Sequence, residues 1–198
     1  MSLQTLARHG ITSQTVENFI IDAGAVYFFN TVDKETPANW SLLGATRDGN
    51  SFSVEQDVRE MPIDGVKGPL KGARRIIRVM PQIVANLIEM STASFLRALP
   101  GADAADWPTV SPTHDQITRA LEIALADYIE NLALVGTVNG RDEPFVGIIK
   151  NGLADQNLEI STSPNDESGL AVTFTGHFDP SDVEEEPWEI LYPKAPSS

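Results

Sequence analysis

The sequence of 198 residues contains no cysteine, which excludes a disulfide framework and any metal site that uses thiolates. Its apolar runs are all shorter than the roughly 18 residues that a membrane-spanning helix needs. The first residues, MSLQTLARHGITSQ, lack the apolar centre of a secretory signal. We therefore expect a protein made in a reducing cytoplasm, without a membrane partner.

Basic residues are scarce, since 14 Lys and Arg stand against 28 Asp and Glu, for a net charge of −14. This balance argues against a surface that grips DNA or an anionic membrane through phosphate contacts. Two interpretations stay open. The charge either keeps the protein soluble or belongs to a surface that must repel polyanions.

Signals of catalysis and metal binding are missing as well. The three histidines, His9, His114 and His177, do not form the HxH or HExxH spacing of a zinc site, and the sequence has no GxSxG motif. Asp115 beside His114 would suit an acid–base pair, but a capping role in a turn is the favoured interpretation. The sequence predicts no enzyme, no cofactor and no metal.

Glycines and lysines alternate in one segment that contains Gly65, Gly68 and Gly72 with Lys67 and Lys71. Such a composition suits a phosphate-binding loop, but this spacing matches neither the Walker pattern nor the dinucleotide pattern. A flexible hairpin loop is therefore the favoured interpretation.

Charge is segregated along the chain. The segment Arg59–Arg78 carries a net charge of +4, so the remaining residues sum to −18. At the other end, Asp179–Glu189 holds six acidic residues and no basic one. The acidic run could bind calcium, but its spacing is not that of an EF-hand, and a solvated charge run is favoured.

The longest strand-like pattern is a pair of runs, Ser51–Glu60 and Arg74–Glu89, joined by a turn-rich loop over residues 59–74. In the first run Phe52, Val54 and Val58 share one parity and polar residues share the other, which predicts one buried and one wet face. In the second run the same alternation puts Ile77 on the apolar face. A strand of 16 residues would span about 50 Å, so this hairpin must project from its domain or run along something larger than one subunit.

The remaining patterns predict a mostly β fold in one domain over residues 1–198. It would be an antiparallel sandwich or barrel with one flanking α-helix and the long protruding hairpin. A cap at Ser91 or Thr92 predicts the helix, which ends by Leu99. Further segments are predicted as an arm (1–15), a surface loop (101–115), a flexible tail (193–198), a turn (Asp48–Asn50) and an ambiguous helix or strand (Ile117–Tyr128). The segment Glu17–Phe29 is predicted as a strand pair or a bent strand. The remaining predicted strands are Leu42–Arg47, 129–138, 143–150, Leu158–Thr162, Leu170–Phe178 and Trp188–Tyr192.

Several segments together resemble the tail tube proteins, or major tail proteins, of long-tailed bacteriophages. They include GITSQTVENFIIDAGAVYF, LLGATRDGNSFSVEQDVREMPIDGVKGPLKG, RRIIRVMPQIVANLIEM, DYIENLALVGTV and VTFTGHFDP, and the resemblance runs from about Gly10 to Pro193. It implies a β-sandwich subunit with a flanking helix. Six subunits would form a ring with a closed β-barrel as inner wall, and stacked rings would form a tube that conducts DNA. It also implies that Ile117–Glu130 is partly β.

The resemblance implies further partners and a location. The partners would be other copies of the chain, a tape measure protein, and tail terminator or baseplate proteins. The protein would be assembled in the host cytoplasm and end in the virion tail, with DNA passing through the lumen without specific binding. Glu55 and Asp57 on the polar face of the first long strand are the candidate lumen residues, and an ordinary solvated strand face is the alternative.

Stacked rings need contacts between two different surfaces of the subunit, and opposite charges on these surfaces would set polarity and register. We expect basic residues of the hairpin to contact acidic residues of the adjoining ring; the sets are Lys67, Lys71, Arg74 and Arg75 on one side and Glu184, Glu185 and Glu186 on the other.

Other functional classes compete with a phage tube. A tube protein of a bacterial secretion or contractile injection apparatus would have the same ring logic. A carbohydrate-binding sandwich would cluster exposed aromatics on one sheet, whereas Trp40, Trp107 and Trp188 are scattered along the chain. An acid–base enzyme built on His114 and Asp115 is the third alternative.

Overall fold

The computed structural model describes residues 11–12, 15–155, 158–160 and 168–195. Within these ranges the chain forms short 3-10 turns, one α-helix, α1 (Thr92–Ala98), and ten strands: β1 (Ile20–Phe29), β2 (Ser41–Leu42), β3 (Thr46–Glu60), β4 (Arg74–Leu87), β5 (Ala102–Trp107), β6 (His114–Arg119), β7 (Ile129–Val138), β8 (Phe145–Ala154), β9 (Leu170–Thr175) and β10 (Trp188–Leu191). No helix in the described ranges is both long and apolar enough to cross a membrane.

Two antiparallel sheets share strand β8. One sheet has the order β2-β1-β7-β8-β10, and the other has the order β8-β9-β4-β3. The sharing occurs because residues 146–149 of β8 pair with β10, whereas Leu153 and Ala154 pair with β9. Between these stretches Asn151 has a φ of 49°, and its side-chain amide donates to the carbonyl of His177. The predicted fold class, a mostly β antiparallel sandwich with one helix, is confirmed.

The main core lies between the two sheets. Its fully buried side chains include Ile83 from β4, Leu132 from β7, Ile149 from β8 and Phe174 from β9. Burial of each such side chain contributes about 1.5–3 kcal/mol relative to leaving it exposed. The side chains that hold the base of the long hairpin are therefore part of this core.

The first sheet is covered on its other face too. Phe29, Val146 and Ile148 form a second buried cluster there, and the ring of Trp40 stacks on Phe29 with centroids 4.2 Å apart. The segment Phe145–Ile149 is apolar at both parities for this reason.

Helix α1 begins where the cap predicted. The Ser91 hydroxyl accepts a hydrogen bond from the backbone N–H of Ser94 at 3.2 Å. Near the other end, the guanidinium of Arg97 lies 4.1 Å from the centre of the Phe28 ring. Partial burial there lowers the pKa of Arg97 from its ordinary value.

The segment 101–115 was predicted as a surface loop, and that prediction is wrong in part. The segment is exposed, but β5 and β6 pair in it as a two-stranded hairpin from Ala102/Arg119 to Trp107/His114. The sequence ADAADW contains neither a β-branched residue nor an alternation of apolar residues, so it gave no strand signal.

The ambiguous segment Ile117–Tyr128 contains the end of β6 and a 3-10 turn at Leu125–Asp127. Local propensity favoured a helix there, but the apolar side chains at Leu121 and Leu125 are 105% and 85% exposed. A helix needs a surface on which to bury its apolar stripe, and this segment has none. The partly β structure implied by the resemblance is the one that forms.

Other local predictions change in detail. Asp48–Asn50 is a bulge inside β3 and not a turn before it, with φ values of 61° at Asp48 and 81° at Gly49. Residues 158–160 are not a strand, and the rest of the predicted strand at Leu158–Thr162 lies outside the described residues. The same holds for most of the arm and for the end of the tail, residues 1–10 and 196–198.

Candidate assembly site

The long hairpin projects beyond the core. Strands β3 and β4 pair as far as Glu60 and Arg74, but β4 has fully buried residues only between Pro81 and Leu87. Toward the loop both faces are exposed, with Val58 at 47% and Ile76 at 55%. These exposed apolar side chains make the projecting part of the hairpin a candidate interaction surface.

A bulge at Ile77 resets the faces of the projecting part. Asp57 lies opposite Arg78, but the next residue, Val58, lies opposite Ile76, so Ile77 is the extra residue. The simple alternation placed Ile77 on the apolar face, and that prediction is wrong. Because of the bulge, Ile76 lies on the apolar face with Val58. Arg75 lies on the opposite face, which carries the charged residues.

The predicted lumen residues lie on this charged face, exposed to solvent. Glu55 is paired with Met80, and Asp57 with Arg78. The Arg78 guanidinium lies 3.9 Å from the Asp57 carboxylate and 3.0 Å from the sulfur of Met80. An exposed ion pair of this length contributes little, about 0–1 kcal/mol.

The loop that closes the hairpin carries exposed apolar as well as basic residues. Met61, Ile63, Val66 and Leu70 are each between 40% and 50% exposed and line a shallow depression of about 390 Å³. Of the cations predicted for the inter-ring contact, Arg74 lies 3.7 Å from Glu60 of its own hairpin. Lys67, Lys71 and Arg75 form no ion pair within the described part of the chain.

The acidic run forms a turn in which its own residues bond one another. The Asp179 carboxylate accepts hydrogen bonds from the Ser181 hydroxyl at 2.6 Å and from the Ser181 backbone N–H at 2.7 Å. These two bonds hold the pKa of Asp179 below its ordinary value. Among the described residues no group of three or more His, Asp or Glu side chains is placed to hold a metal ion.

The predicted acidic partners differ in availability. Glu185 forms an ion pair with Lys150 of the same chain, whereas Glu184 and Glu186 are exposed and form no ion pair among the described residues. The run begins just after β9, where the N–H of Gly176 donates to the carbonyl of Pro81. It therefore starts near the base of the hairpin, and the structure does not pair it with the basic loop within one subunit.

The residues of the enzyme alternative have separate partners. The Asp115 carboxylate accepts from the Thr92 hydroxyl at 2.5 Å, and His114 Nδ1 lies 2.8 Å from the Thr113 hydroxyl. The capping turn expected for Asp115 is thus replaced by a bond that ties β6 to α1. His177 lies at the shared-strand corner, with Nδ1 at 3.1 Å from the carbonyl of Asn151.

An open groove that sequence reasoning missed lies on the outer face of the first sheet. It has a volume of about 660 Å³, and Tyr27, Trp40, Tyr192, Lys34 and Glu143 are among its lining residues. These residues come from distant parts of the chain, so no local motif could have shown that they meet. Trp107 and Trp188 are not among them.

Comparisons with known proteins found similar solved structures but no match in sequence. No protein-family model matches the chain, and no curated protein matches it in sequence. Among solved structures, one similar chain belongs to a structure described as the tail of an empty GTA particle computed with helical refinement and C6 symmetry. The TM-score is 0.40 and the identity 9%, over 79% of this chain and 92% of the other. At this level the likeness carries no conclusion about function.

Proposed function

We propose that this chain is a structural subunit that assembles into stacked hexameric rings and forms the tail tube of a phage particle. The observation that carries the proposal is the projecting hairpin of β3 and β4, whose two faces are both exposed in the single subunit. The ring and the tube in this proposal come from the sequence resemblance to tail tube proteins.

A single subunit leaves this hairpin poorly supported. A two-stranded ribbon is only marginally stable in water. In the described part of the chain β4 is the only strand that pairs with β3, which leaves the outer edge of the projecting part without a sheet neighbour. A ring in which neighbouring copies cover Val58 and Ile76 would bury the apolar face and satisfy the free edge. Assembly would thus bury apolar side chains and pair backbone groups that the single subunit leaves exposed.

The lumen of such a tube must let DNA slide without holding it. Phosphate contacts with Lys and Arg give salt-dependent affinity, so an acidic wall is the suitable surface. Glu55 and Asp57 are the lumen residues of this proposal, because they lie side by side on the exposed charged face of the projecting strand. The same face also carries Arg59, Arg75 and Arg78, so the wall would be acidic only where other groups neutralise these cations, as Asp57 does in part for Arg78.

The contact between rings would use opposite charges on different surfaces. In this proposal the loop cations Lys67 and Lys71, together with Arg74 and Arg75, meet the acidic run of the adjoining ring. Since Lys150 already pairs with Glu185, the groups free for that contact are Glu184 and Glu186. The remaining partners of the proposal are a tape measure protein and terminator or baseplate proteins at the ends of the tube, within the virion tail.

A shortened hairpin tests the proposed function. Replacing residues 61–73 by Asn-Gly would connect Glu60 to Arg74 through a two-residue turn. Such a turn suits these residues, because they are cross-strand partners. We expect the variant subunit to fold with a free energy of unfolding within about 1 kcal/mol of the wild type, because the removed loop is almost wholly exposed. Assembly, measured by sedimentation velocity and negative-stain microscopy, should be lost. A folded variant that still forms tubes would contradict the proposal.

A further inference from the structure

Two exposed hairpins of this chain each place like charges directly opposite each other. On the β3–β4 hairpin Arg59 is the cross-strand partner of Arg75, and on the β5–β6 hairpin Asp106 is the partner of Asp115. All four side chains are exposed. Like charges in directly opposed positions destabilise a strand pair, so both hairpins carry a local electrostatic cost in the single subunit.

The surrounding residues do not relieve this cost. The acidic neighbours of the arginine pair are already engaged, since Glu60 lies by Arg74 and Asp57 lies by Arg78. Within the described ranges Arg59 forms no ion pair. On the other hairpin, among the residues that the structure describes, the Asp115 carboxylate accepts only from the neutral hydroxyl of Thr92.

The two pairs cannot meet within one subunit. Arg75 lies near the start of β4 and Leu87 at its end, so about 12 residues of extended strand, or about 40 Å, separate them. The bond from Thr92 to Asp115 then fixes the β5–β6 hairpin close to the far end of β4, because Thr92 follows Leu87 by only five residues. The basic pair and the acidic pair therefore lie at opposite ends of the subunit.

We propose that the pair Arg59 and Arg75 of one subunit binds the pair Asp106 and Asp115 of a second copy of this chain. Two adjacent guanidinium groups match two adjacent carboxylates, and such charge-assisted contacts are strong and directional. Each pair then neutralises the repulsion within the other.

The contact is heterologous, because each subunit uses its basic pair at one end and its acidic pair at the other. Contacts of this kind propagate from copy to copy and give a polar, head-to-tail stack. The inference rests on the proposed function and changes it at one residue, because Arg75 now contacts the aspartate pair and not the acidic run. Lys67, Lys71 and Arg74 are left for the acidic run near Glu184 and Glu186.

Complementary charge reversals test the contact with full-length protein. One variant carries Arg59→Glu and Arg75→Glu, and the other carries Asp106→Lys and Asp115→Lys. In a solution of either variant alone, the reversed pair of one copy would meet a pair of the same charge on the next copy. Neither variant should therefore assemble alone. An equimolar mixture should assemble with the two proteins in alternation. The glutamate pair of one variant then meets the lysine pair of the other, and the remaining arginine pair meets the remaining aspartate pair. Sedimentation velocity would show at least a tenfold rise in the assembled fraction on mixing.

The controls separate this inference from the proposed function. Reversal keeps a like-charge pair in each hairpin, so the melting temperature of the free arginine variant should match the wild type. The free aspartate variant also loses the exposed bond from Thr92 to Asp115, so its melting temperature should fall only slightly. The matched acidic variant, Glu184→Lys with Glu186→Lys, should not co-assemble with the arginine variant. Wild-type protein that assembles, while the mixture of reversed variants does not, would overturn the contact alone. Wild-type protein that never assembles would overturn both proposals.

Discussion

At the residue scale, burial and not residue type decides what a side chain does in this fold. Strand β4 contains isoleucines at positions 77 and 83, and they are 63% and 0% exposed respectively. Ile83 packs between the sheets with Phe174 and Leu132, whereas Ile77 is the bulged residue of the projecting hairpin. The two positions provide an internal comparison with identical chemistry.

Truncation to alanine at these two positions should change the free energy of unfolding by very different amounts. Ile83→Ala removes fully buried methyl groups and should cost about 2–5 kcal/mol of unfolding free energy. Ile77→Ala alters an exposed site and should stay within about 0.5 kcal/mol of the wild type. Urea unfolding of the dilute, unassembled subunit measures both values. Equal losses at the two positions would contradict the account of the projecting hairpin.

The turn at Asp179 makes a prediction about pH. Its pKa is lowered first by the Ser181 hydroxyl and then by the Ser181 backbone N–H. A lowered folded-state pKa means that the stabilisation is present above the unfolded-state value and is lost as pH falls through the folded-state value. Ser181→Ala should raise the pKa of Asp179 toward its ordinary value while the backbone bond keeps it somewhat below.

Carboxyl chemical shifts followed by NMR through an acid titration would give this pKa in both proteins. Ser91→Ala is a suitable control, because that hydroxyl caps α1 and has no bond to the acidic turn. An Asp179 pKa that does not move in the Ser181 variant would show that the hydroxyl is not its cause.

At the scale of elements, the two hairpins combine local electrostatic repulsion with a proposed role in assembly. Removing one charge from the arginine pair, by Arg59→Thr, should stabilise the free subunit by about 0.2–1 kcal/mol. The same change should weaken assembly, because half of the basic pair is lost. The stabilisation should shrink in high salt, since exposed charges are screened.

Thermal unfolding of the free subunit at low and high salt checks this prediction. Lys71→Thr is the matched control, because Lys71 lies in the loop and has no residue opposite it in the strand ladder. A loss of stability in the Arg59 variant would mean that the arginines are not repelling each other.

Much of the element pattern was predictable because it is local. Alternation predicted β3 and β4, and the Ser91 cap predicted α1. The bulge at Ile77 was not predictable, because register depends on which residues pair and not on the residues of one strand. The β5–β6 hairpin was missed because its first strand lacks β-branched residues.

At the scale of the whole molecule, the sequence predicted the segregation of charge but not its geometry. The basic hairpin and the acidic run were both visible in the residues, yet their distance in the fold depends on β8 serving both sheets. The opposition of Asp106 and Asp115 and the aromatic groove arise from long-range pairing and packing. No short window of sequence contains that information.

The two ends of the subunit differ, so the subunit has a direction. One end bears the projecting hairpin with its arginine pair, and the other bears the β5–β6 hairpin with its aspartate pair. With a net charge of −14, subunits repel one another at long range, so the specific contacts must overcome that repulsion. The proposed directional stack would bring the arginine pair of one copy to the aspartate pair of the next.

The central claim is that this chain assembles into stacked six-fold rings, and microscopy of the purified wild-type protein tests it most directly. Negative-stain images over a range of protein and salt concentrations should show rings or tubes whose end views have six-fold symmetry. Concentrated protein that remains a stable monomer under all of these conditions would contradict the claim.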